Sequence, residues 1–537
     1  MDSGREIELK LSVRPDRLER VMRSPHLQGD GARRAIARAL KNIYYDTPHL
    51  ALRERGVVVR VREAGRRYIQ TVKAANGSGA SGLFNRPEWE RPVPGPKPDL
   101  AGIDDPTLRR ELGATASQLA PIFSSEVNRI TRTIQHGEAG IEVAIDQGRV
   151  MTPRGSAPIC EIELELKEGR PDALYDLALT LNKETPLHLE TLSKSDRGYA
   201  ILTEDAIGWS KAPPLVLYPA MTGMQAFETL LRHNLTHILA NERAAREGHD
   251  PEGVHQVRLA VRRLRSVLSL FRSVVPTETV VALNEELRWL AGEFAPARNL
   301  DVFVDELLRP VQAAFADDPD LAALEAMARA RRGGAYEQVR AAFATGRYTA
   351  VLLQIGRLIE SRTWQESLQP EAAQHLAEPA RILASRLLAE RYRKVRKRGR
   401  GFGDLSAKDR HRLRLGVKKL RYAAECFRSL FEGETTPGYL KGLSRLQDSL
   451  GHLNDVETAR ELLKEFDAHD GAPQTAALTR ASGLVIGWYK RGTKELEAKL
   501  RKQWKQFKVE TPFWAEDERS EERRVGKECR SRWSPYH

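Results

Sequence analysis

Polar and apolar residues alternate with a period of two through most of the first 200 positions. The clearest runs are Val57 to Arg62, Tyr68 to Lys73, Glu88 to Val93, Ile141 to Ile145 and Ile159 to Lys167, and each predicts a strand with one polar and one apolar face. Helices are expected at Arg14 to Met22, in the Leu100 to Leu119 region, and at Ala173 to Asn182 behind Pro171-Asp172. The proline-rich stretch Ala212 to Pro219 reads as a linker. From Met221 to Phe507 the period changes to 3.6 and Ala, Leu, Arg and Glu dominate, which predicts a helical region. Within it the segment HQVRLAVRRLRSVLSLF, His255 to Phe271, recurs as HRLRLGVKKLRYAAECF, His411 to Phe427, a spacing of 156 residues. A looser match follows, Arg298 to Val302 against His452 to Val456. Two related bundles in tandem are implied.

At 537 residues the chain exceeds one ordinary core, so two or more domains are expected. It is 41% hydrophobic and 30% charged, with no apolar run long enough for a membrane span. The start passes directly into Glu6-Ile7-Glu8-Leu9-Lys10 without a signal-like segment, and a cytoplasmic location is expected. Three scattered cysteines, Cys160, Cys426 and Cys529, give no metal or disulfide spacing. The formal charge of +13 points to an anionic partner. Residues 519–537 resemble a translated sequencing adapter; setting aside their six Lys/Arg and three Asp/Glu still leaves +10.

The polar faces of the strands carry the first candidate chemistry. Glu6, Glu8 and Lys10 share a face, as do Glu161, Glu163, Glu165 and Lys167; Arg60 with Arg62, Thr71 with Lys73, Arg86 with Glu88 and Glu90, and Glu142 with Asp146 repeat the arrangement. A closing sheet would gather these charges inside, where crowded carboxylates call for a hard cation and crowded Arg and Lys for an anion. A metal-bound chain of phosphates satisfies both. The ordered set of Glu6 to Lys10, Tyr44 to Pro48 (YYDTP), Leu52-Arg53, Val59 to Arg62 (VRVR), Thr71 to Lys73, Glu142 to Asp146 (EVAID), Cys160 to Gly169 (CEIELELKEG) and Ser193 to Tyr199 (SKSDRGY) resembles the CYTH, or triphosphate tunnel metalloenzyme, family. The resemblance implies an eight-stranded antiparallel tunnel that binds triphosphate. It implies metal roles for Glu6, Glu8, Glu161 and Glu163, with Asp146 and Glu165 as further candidates, and phosphate roles for Lys10, Arg60, Arg62, Lys73, Arg86, Lys194 and Arg197. Arg53, Glu88, Glu90 and Arg129 are expected either to support the site from the wall or to serve as structural ion-pair partners. Mg²⁺ is the expected cofactor, with Mn²⁺ as the alternative.

In the helical half, spacings of 3, 4 and 3 put His255, Arg258, Arg262 and Arg265 on one stripe, and His411, Arg414, Lys418 and Arg421 repeat it. Each copy sets an apolar stripe opposite, and a row of cations without acidic neighbours repels itself unless an anion is present. The duplicated motif resembles the CHAD domain, which implies two pseudo-symmetric bundles and polyphosphate contacts from those eight residues, with Arg263 and Lys419 as further candidates. Neither histidine has a second histidine one turn away, so phosphate donation is preferred over metal ligation. A further run, Arg391 to Arg400, holds seven basic residues in ten; it suits polyphosphate or nucleic acid, and no RNA-binding or helix-turn-helix fingerprint accompanies it.

The expectation is an α+β multidomain chain: a tunnel domain over 1–205, a linker over 206–220, an all-α polyphosphate-binding domain over 221–512 and a disordered tail from 513. The expected activity is hydrolysis of inorganic triphosphate to diphosphate and phosphate, with polyphosphate as partner, nucleic acid disfavoured, and association with polyphosphate granules in view. The alternatives are a non-catalytic polyphosphate receptor, and a nucleotide or thiamine triphosphatase or adenylate cyclase.

Overall fold

The computed structural model describes residues 5–515, apart from 29–34, 75–81, 469–475 and the single positions 66, 104, 114, 249, 276, 362, 432, 434 and 492. The adapter-like segment lies outside the described residues. Two compact units are present: one comprises residues 1–210, 235–249 and 341–364, the other 211–234, 250–340 and 365–537.

The first unit is built on a closed barrel. Strands β1 (Arg5–Ser12), β2 (Ile36–Asp46), β3 (Val57–Ala64), β4 (Arg67–Ala74), β5 (Leu83–Val93), β6 (Ala120–His136), β7 (Ala139–Thr152) and β8 (Gly155–Glu168) run in the order β5-β4-β3-β2-β6-β7-β8-β1. All neighbours are antiparallel, and pairing of β1 with β5 closes the ring; the two-residue strand β9 (His188–Leu189) extends it beside β1. Closure leaves no exposed sheet edge and turns every second residue inward. Val57, Val59, Val61 and Val72 face outward into an apolar layer with Leu100, Ile103 and Leu112. The inward face is the charged one.

The five predicted runs all fall within strands, but β2 and β6 escape the period-two reading. Their inward positions include Asn42, Ser125 and Arg129, so apolar and polar residues do not alternate cleanly. The helix expected from Leu100 to Leu119 is broken into a 3₁₀ turn at Leu100–Gly102, a helix at Pro106–Gly113 and another turn at Ala116–Gln118. That expected at Arg14 to Met22 is a 3₁₀ turn at Pro15–Arg17 followed by Leu18–Met22.

Two segments of the helical half belong to this unit. Helix Gly346–Glu360 packs on helix Asp172–Glu184: Asn182 Nδ2 donates to the Gly346 carbonyl at 2.7 Å, and Thr349 Oγ1 donates to the Leu187 carbonyl at 2.6 Å. The C-terminal half of helix Gly223–Glu247 brings Glu242, which accepts from the Tyr348 hydroxyl at 2.9 Å and lies 3.0 Å from His188 Nε2.

The second unit is helical. Helices Pro251–Phe271 and Ala407–Phe427, the two repeat helices, start and end at positions 156 apart, and both carry a side-chain N-cap, from Asp250 and Ser406. Phe271 and its counterpart Phe427 meet across 6.2 Å, as residues beside a pseudo-twofold axis do. Val257, Val261, Leu264 and Leu268 of the first helix, and Leu413, Val417 and Leu420 of the second, are buried. Order continues past the expected end of this region at 512. Trp514 is 1% exposed and packs edge-on against Tyr439 at 5.2 Å, since burial of so large a ring anchors the segment that carries it.

Candidate functional sites

The strand register lines up the charges inside the barrel. Glu142, Glu165 and Glu8 stand opposite one another across β7, β8 and β1, Glu163 stands opposite Lys10, Glu161 opposite Asp146, and Glu6 opposite Arg86. The enclosed cavity holds about 620 Å³ of space, its open mouth included. Glu6, Glu8, Lys10, Arg60, Lys73, Arg86, Glu163, Glu165 and Lys194 line it, as do Arg129, Glu142 and Tyr44.

Asp146, Glu161 and Glu163 are buried, and each places an oxygen within 4.8 Å of the others. The Lys194 ammonium sits among them, 2.7 Å from Asp146, 2.5 Å from Glu161 and 2.9 Å from Glu163. Three carboxylates converging on one cation form an all-oxygen donor set of the kind a hard divalent ion selects. The other three candidate ligands are not part of this triad, although Glu8 shares the Lys10 ammonium with Glu163. Glu6 pairs with Lys73 at 2.6 Å and Arg86 at 3.3 Å, Glu8 with Lys10 at 3.2 Å and Arg86 at 3.1 Å, and Glu165 with Lys167 at 2.5 Å. Glu8 and Glu165 are nevertheless adjacent in register, so with Glu142 they form a second carboxylate row.

Burial opposes charge on Glu163, but Lys10, Lys194 and Arg129 outweigh it and hold the carboxyl well below its usual range. Lys194 and Lys10 are shifted up, because their carboxylate neighbours outweigh the same burial. Burial raises Glu165 instead, with Glu6 and Glu142 adding repulsion that Lys167 only partly offsets. Arg62 stands out: it donates to Asn42 Oδ1 at 3.2 Å, and the Arg60 charge together with burial lowers it to about 10. Such a guanidinium is ready for an anion.

Arg129, expected in the wall, is central. Its guanidinium donates to both Asp146 oxygens at 2.6 and 2.7 Å and to Glu163 at 2.5 Å. Arg53 is a scaffold residue, tied to Asp205 at 2.6 Å and Thr203 at 2.9 Å. Glu88 faces Lys73 at 3.1 Å and Arg60 at 3.8 Å, and Glu90 accepts from Thr71 at 2.8 Å.

The SKSDRGY segment shows how the site is held. Ser193 caps helix Lys194–Leu202 in a reciprocal capping box with Asp196, which aims Lys194 inward. Arg197, one turn on, reaches Glu161 at 2.6 Å and Glu190 at 2.9 Å. Gly198 lets the helix approach Phe123, whose ring would lie 2.4 Å from any added Cβ. The Tyr199 hydroxyl donates to Asp46 at 2.8 Å; Asp46 also accepts from the backbone of Thr47, Leu52 and Arg53, which locks the YYDTP turn.

In the helical unit the electrostatics are reversed. Arg258 is lowered to about 10 by burial and by the charges of Arg262 and Arg298, and the same kinds of cause lower His255, Arg262 and Arg265. Arg258 donates to the Ala291 carbonyl at 2.9 Å, and Arg262 donates to the Tyr422 hydroxyl at 2.9 Å. His411 is exposed, while Arg414 and Lys418 are half-buried. Arg421 departs from the expected uncompensated row: Glu425, one turn on, accepts from it at 2.8 Å. Of the further candidates, Lys419 is lowered by burial and by Arg391, Arg398 and Arg265. Arg298 and Arg391, which the sequence placed in the looser repeat and in the basic run, act on candidate residues of the repeat helices as well, a proximity that spacing along the chain does not signal. Within the looser repeat, Asp301 is a buried structural acceptor for Arg332 and Tyr336, and the side chains of 453–456 lie outside the described residues.

Comparison with known proteins agrees with this division. The CYTH domain family matches residues 4–199 and the CHAD domain family residues 229–464; the chain carries a CYTH domain followed by a CHAD domain. Over 168 residues it is 34% identical to an inorganic triphosphatase of Haemophilus influenzae, a match covering 30% of this chain and 46% of that protein. The chain thus spans about half the length of that relative. Among solved structures, the CHAD domain from the plant Ricinus communis is 31% identical, covers 55% of this chain and 96% of its own, and has a TM-score of 0.48. HpAC1 from Hippeastrum, named as an adenylyl cyclase and described as having a dominant triphosphatase activity, is 16% identical, covers 37% of this chain and 97% of its own, and has a TM-score of 0.28. No described helix is long and apolar enough to cross a membrane.

Proposed function

We propose that the barrel hydrolyses inorganic triphosphate to diphosphate and phosphate with a divalent metal, Mg²⁺ or Mn²⁺, and that the helical unit binds polyphosphate. The observation that carries the first part is the buried triad of Asp146, Glu161 and Glu163, whose Glu163 lines the same cavity as Lys10, Arg60, Lys73, Arg86 and Lys194. Those three carboxylates would hold the metal, with Glu8, Glu142 and Glu165 within the same barrel as a second oxygen row. The metal supplies charge neutralisation and polarisation of a phosphoryl oxygen. Arg60 and Arg62 lie on one strand and bind the phosphate chain; Lys10, Lys73, Arg86, Lys194 and Arg197 exchange carboxylate partners for phosphate oxygens as substrate enters. The barrel wall orients the chain and limits the water that reaches it. The mutual repulsion among Arg258, Arg262 and Arg298 at the first repeat helix supports the second part, because a polyanion relieves it. Such a protein would act in the cytoplasm, at polyphosphate deposits.

Phosphate release from tripolyphosphate, ATP, thiamine triphosphate and long-chain polyphosphate, with each metal, tests the enzyme reading in wild type, Glu163→Ala and Glu6→Ala. Metal-dependent turnover favouring tripolyphosphate and lost in both variants is the expected result. Preferential ATP turnover or cyclic nucleotide formation would replace it with a nucleotide enzyme, and no turnover with polyphosphate binding intact would leave a receptor.

A further inference from the structure

The basic run Arg391 to Arg400 lies at the end of helix Ala380–Arg398, and that helix presents two different faces. Arg391 donates to Ser269 Oγ of the first repeat helix at 3.0 Å, and Val395 and Arg398 lie against Gly416 of the second, so this face joins the repeat helices. The adjoining face, one residue further round the helix, meets helix Thr493–Val509, which runs antiparallel to it. Tyr392 packs on Phe507 at 5.4 Å, Arg396 donates to the Lys508 carbonyl at 2.7 Å, and Gly399 abuts Trp504, whose ring would lie 2.0 Å from any Cβ added there. Between the two helices and the turn at 399–404 runs a groove of about 1890 Å³, its open mouth included. Seven cations and a single carboxylate, Asp404, line it. Arg393, Lys397, Arg400, Arg501, Lys505 and Lys508 are exposed there. The acidic neighbour on the run's own helix, Glu390, is engaged by Lys394.

A solvated basic face would account for one such row. Two facing rows, each with one cation per helical turn around a concave space, repel each other without an anion between them. Nucleic acid is disfavoured by the rings. Trp504, the largest ring of the groove, is 3% exposed and stacks with Phe402 at 5.4 Å and with Phe507 at 5.3 Å, so its indole is not offered to a base. Helix Thr493–Val509 also lies beyond the region matched by the CHAD family, which ends at 464. We propose that this groove is a second polyphosphate anchor, separate from the repeat-helix stripe, and that a long chain engages both while a short one engages only one. This rests on the reading of the repeat helices as a polyphosphate site.

Two anchors on one chain convert the second contact into an intramolecular one, so long chains gain affinity that short ones do not. The test measures binding of long-chain polyphosphate and of tripolyphosphate to the full chain, the groove variant Arg400→Ala/Arg501→Ala/Lys505→Ala, and the stripe variant Arg414→Ala/Lys418→Ala. Circular dichroism checks that each is folded. The groove variant is expected to bind the long chain about tenfold or more weakly, with a shallower salt dependence. A groove variant that binds the long chain like wild type, while the stripe variant loses it, overturns the second anchor and leaves the stripe. If the groove variant loses the long chain and the stripe variant does not, the stripe reading fails and the groove stands as the anchor. A single-stranded RNA oligomer that binds wild type and not the groove variant, with polyphosphate affinity unchanged, would overturn the proposal in favour of nucleic acid.

Discussion

Two populations of cation occupy this chain, and individual residues distinguish them. Lys10, Lys194 and Arg129 are shifted up because carboxylates surround them; Arg62, Arg258 and Arg262 are shifted down because burial and other cations surround them. Under the proposed function the first group would contribute to both structure and site, the second chiefly to binding. Replacing Arg62 by Gln is therefore expected to raise KM for tripolyphosphate by about tenfold or more, the loss of one charged hydrogen bond, while thermal stability stays level or rises. A fall in melting temperature comparable to the loss in binding would refute that division. Glu163 should behave in the opposite way. It is 7% exposed and faces Lys10, Lys194 and Arg129, so Glu163→Gln is expected to cost about 3–5 kcal/mol at neutral pH, the typical penalty for breaking a buried pair. Because its folded pKa lies below the unfolded value, its contribution is complete above the ordinary carboxylate pKa of about 4.3 and fades as pH falls through the lower folded value. Melting curves across acidic pH should accordingly converge for wild type and variant; a constant gap down to the acid limit would mean that Glu163 is not held charged by those cations.

At the scale of elements, helix Gly346–Glu360 depends on one position. Any Cβ at Gly356 would lie 2.2 Å from the ring of Tyr175, itself 1% exposed. Alanine gains about 1 kcal/mol of helix propensity over glycine, but the clash falls on a buried ring that has nowhere to go, and overpacking of this kind costs about 1–3 kcal/mol. Gly356→Ala is thus expected to be level or destabilising and Gly356→Val clearly destabilising, read as a lowered melting temperature of the barrel unit. This packing also shows where the sequence stops being legible. The charged strand faces, the repeat helices and the capping box at Ser193 are local patterns and could be read from periodicity and spacing. That Gly346–Glu360 covers Asp172–Glu184 could not, because an amphipathic face announces that it will be buried without saying against what. Strands β2 and β6 were hidden for a related reason: their polar inward residues are matched to partners on other strands, such as Arg62 for Asn42 and Asp146 for Arg129. Likewise the buried carboxylate triad draws Asp146 from β7 and Glu161 and Glu163 from β8, a meeting that the family resemblance implies and that periodicity alone does not disclose.

For the whole molecule, the uneven distribution of compensated charge makes the response to polyanions selective. Inside the barrel, a phosphate that reaches Lys10, Lys73, Arg86 or Lys194 would displace a carboxylate already in place, so binding there would exchange one set of charge pairs for another and is expected to change net stability little until metal is present. Along the first repeat helix an anion would meet cations that burial and other cations already disfavour, so binding there would add more attraction than it removes for His255, Arg258, Arg262 and Arg265. Long-chain polyphosphate at about 100 times its Kd should stabilise the state that binds it by about 2.7 kcal/mol. In amide hydrogen exchange that gain should appear as slower exchange in Pro251–Phe271 and Ala407–Phe427, with β1 and β8 little changed in the absence of metal. Salt gives the counter-test. Raising the ionic strength shortens the Debye length to about 3 Å at 1 M, so it should slow exchange in the unliganded repeat helices by screening their repulsion while it diminishes the protection that polyphosphate adds. Salt that leaves the unliganded helices unchanged, or protection from polyphosphate that appears equally in the barrel strands, would mean that the stripe is not held under mutual repulsion and that polyanion binding acts elsewhere in the chain.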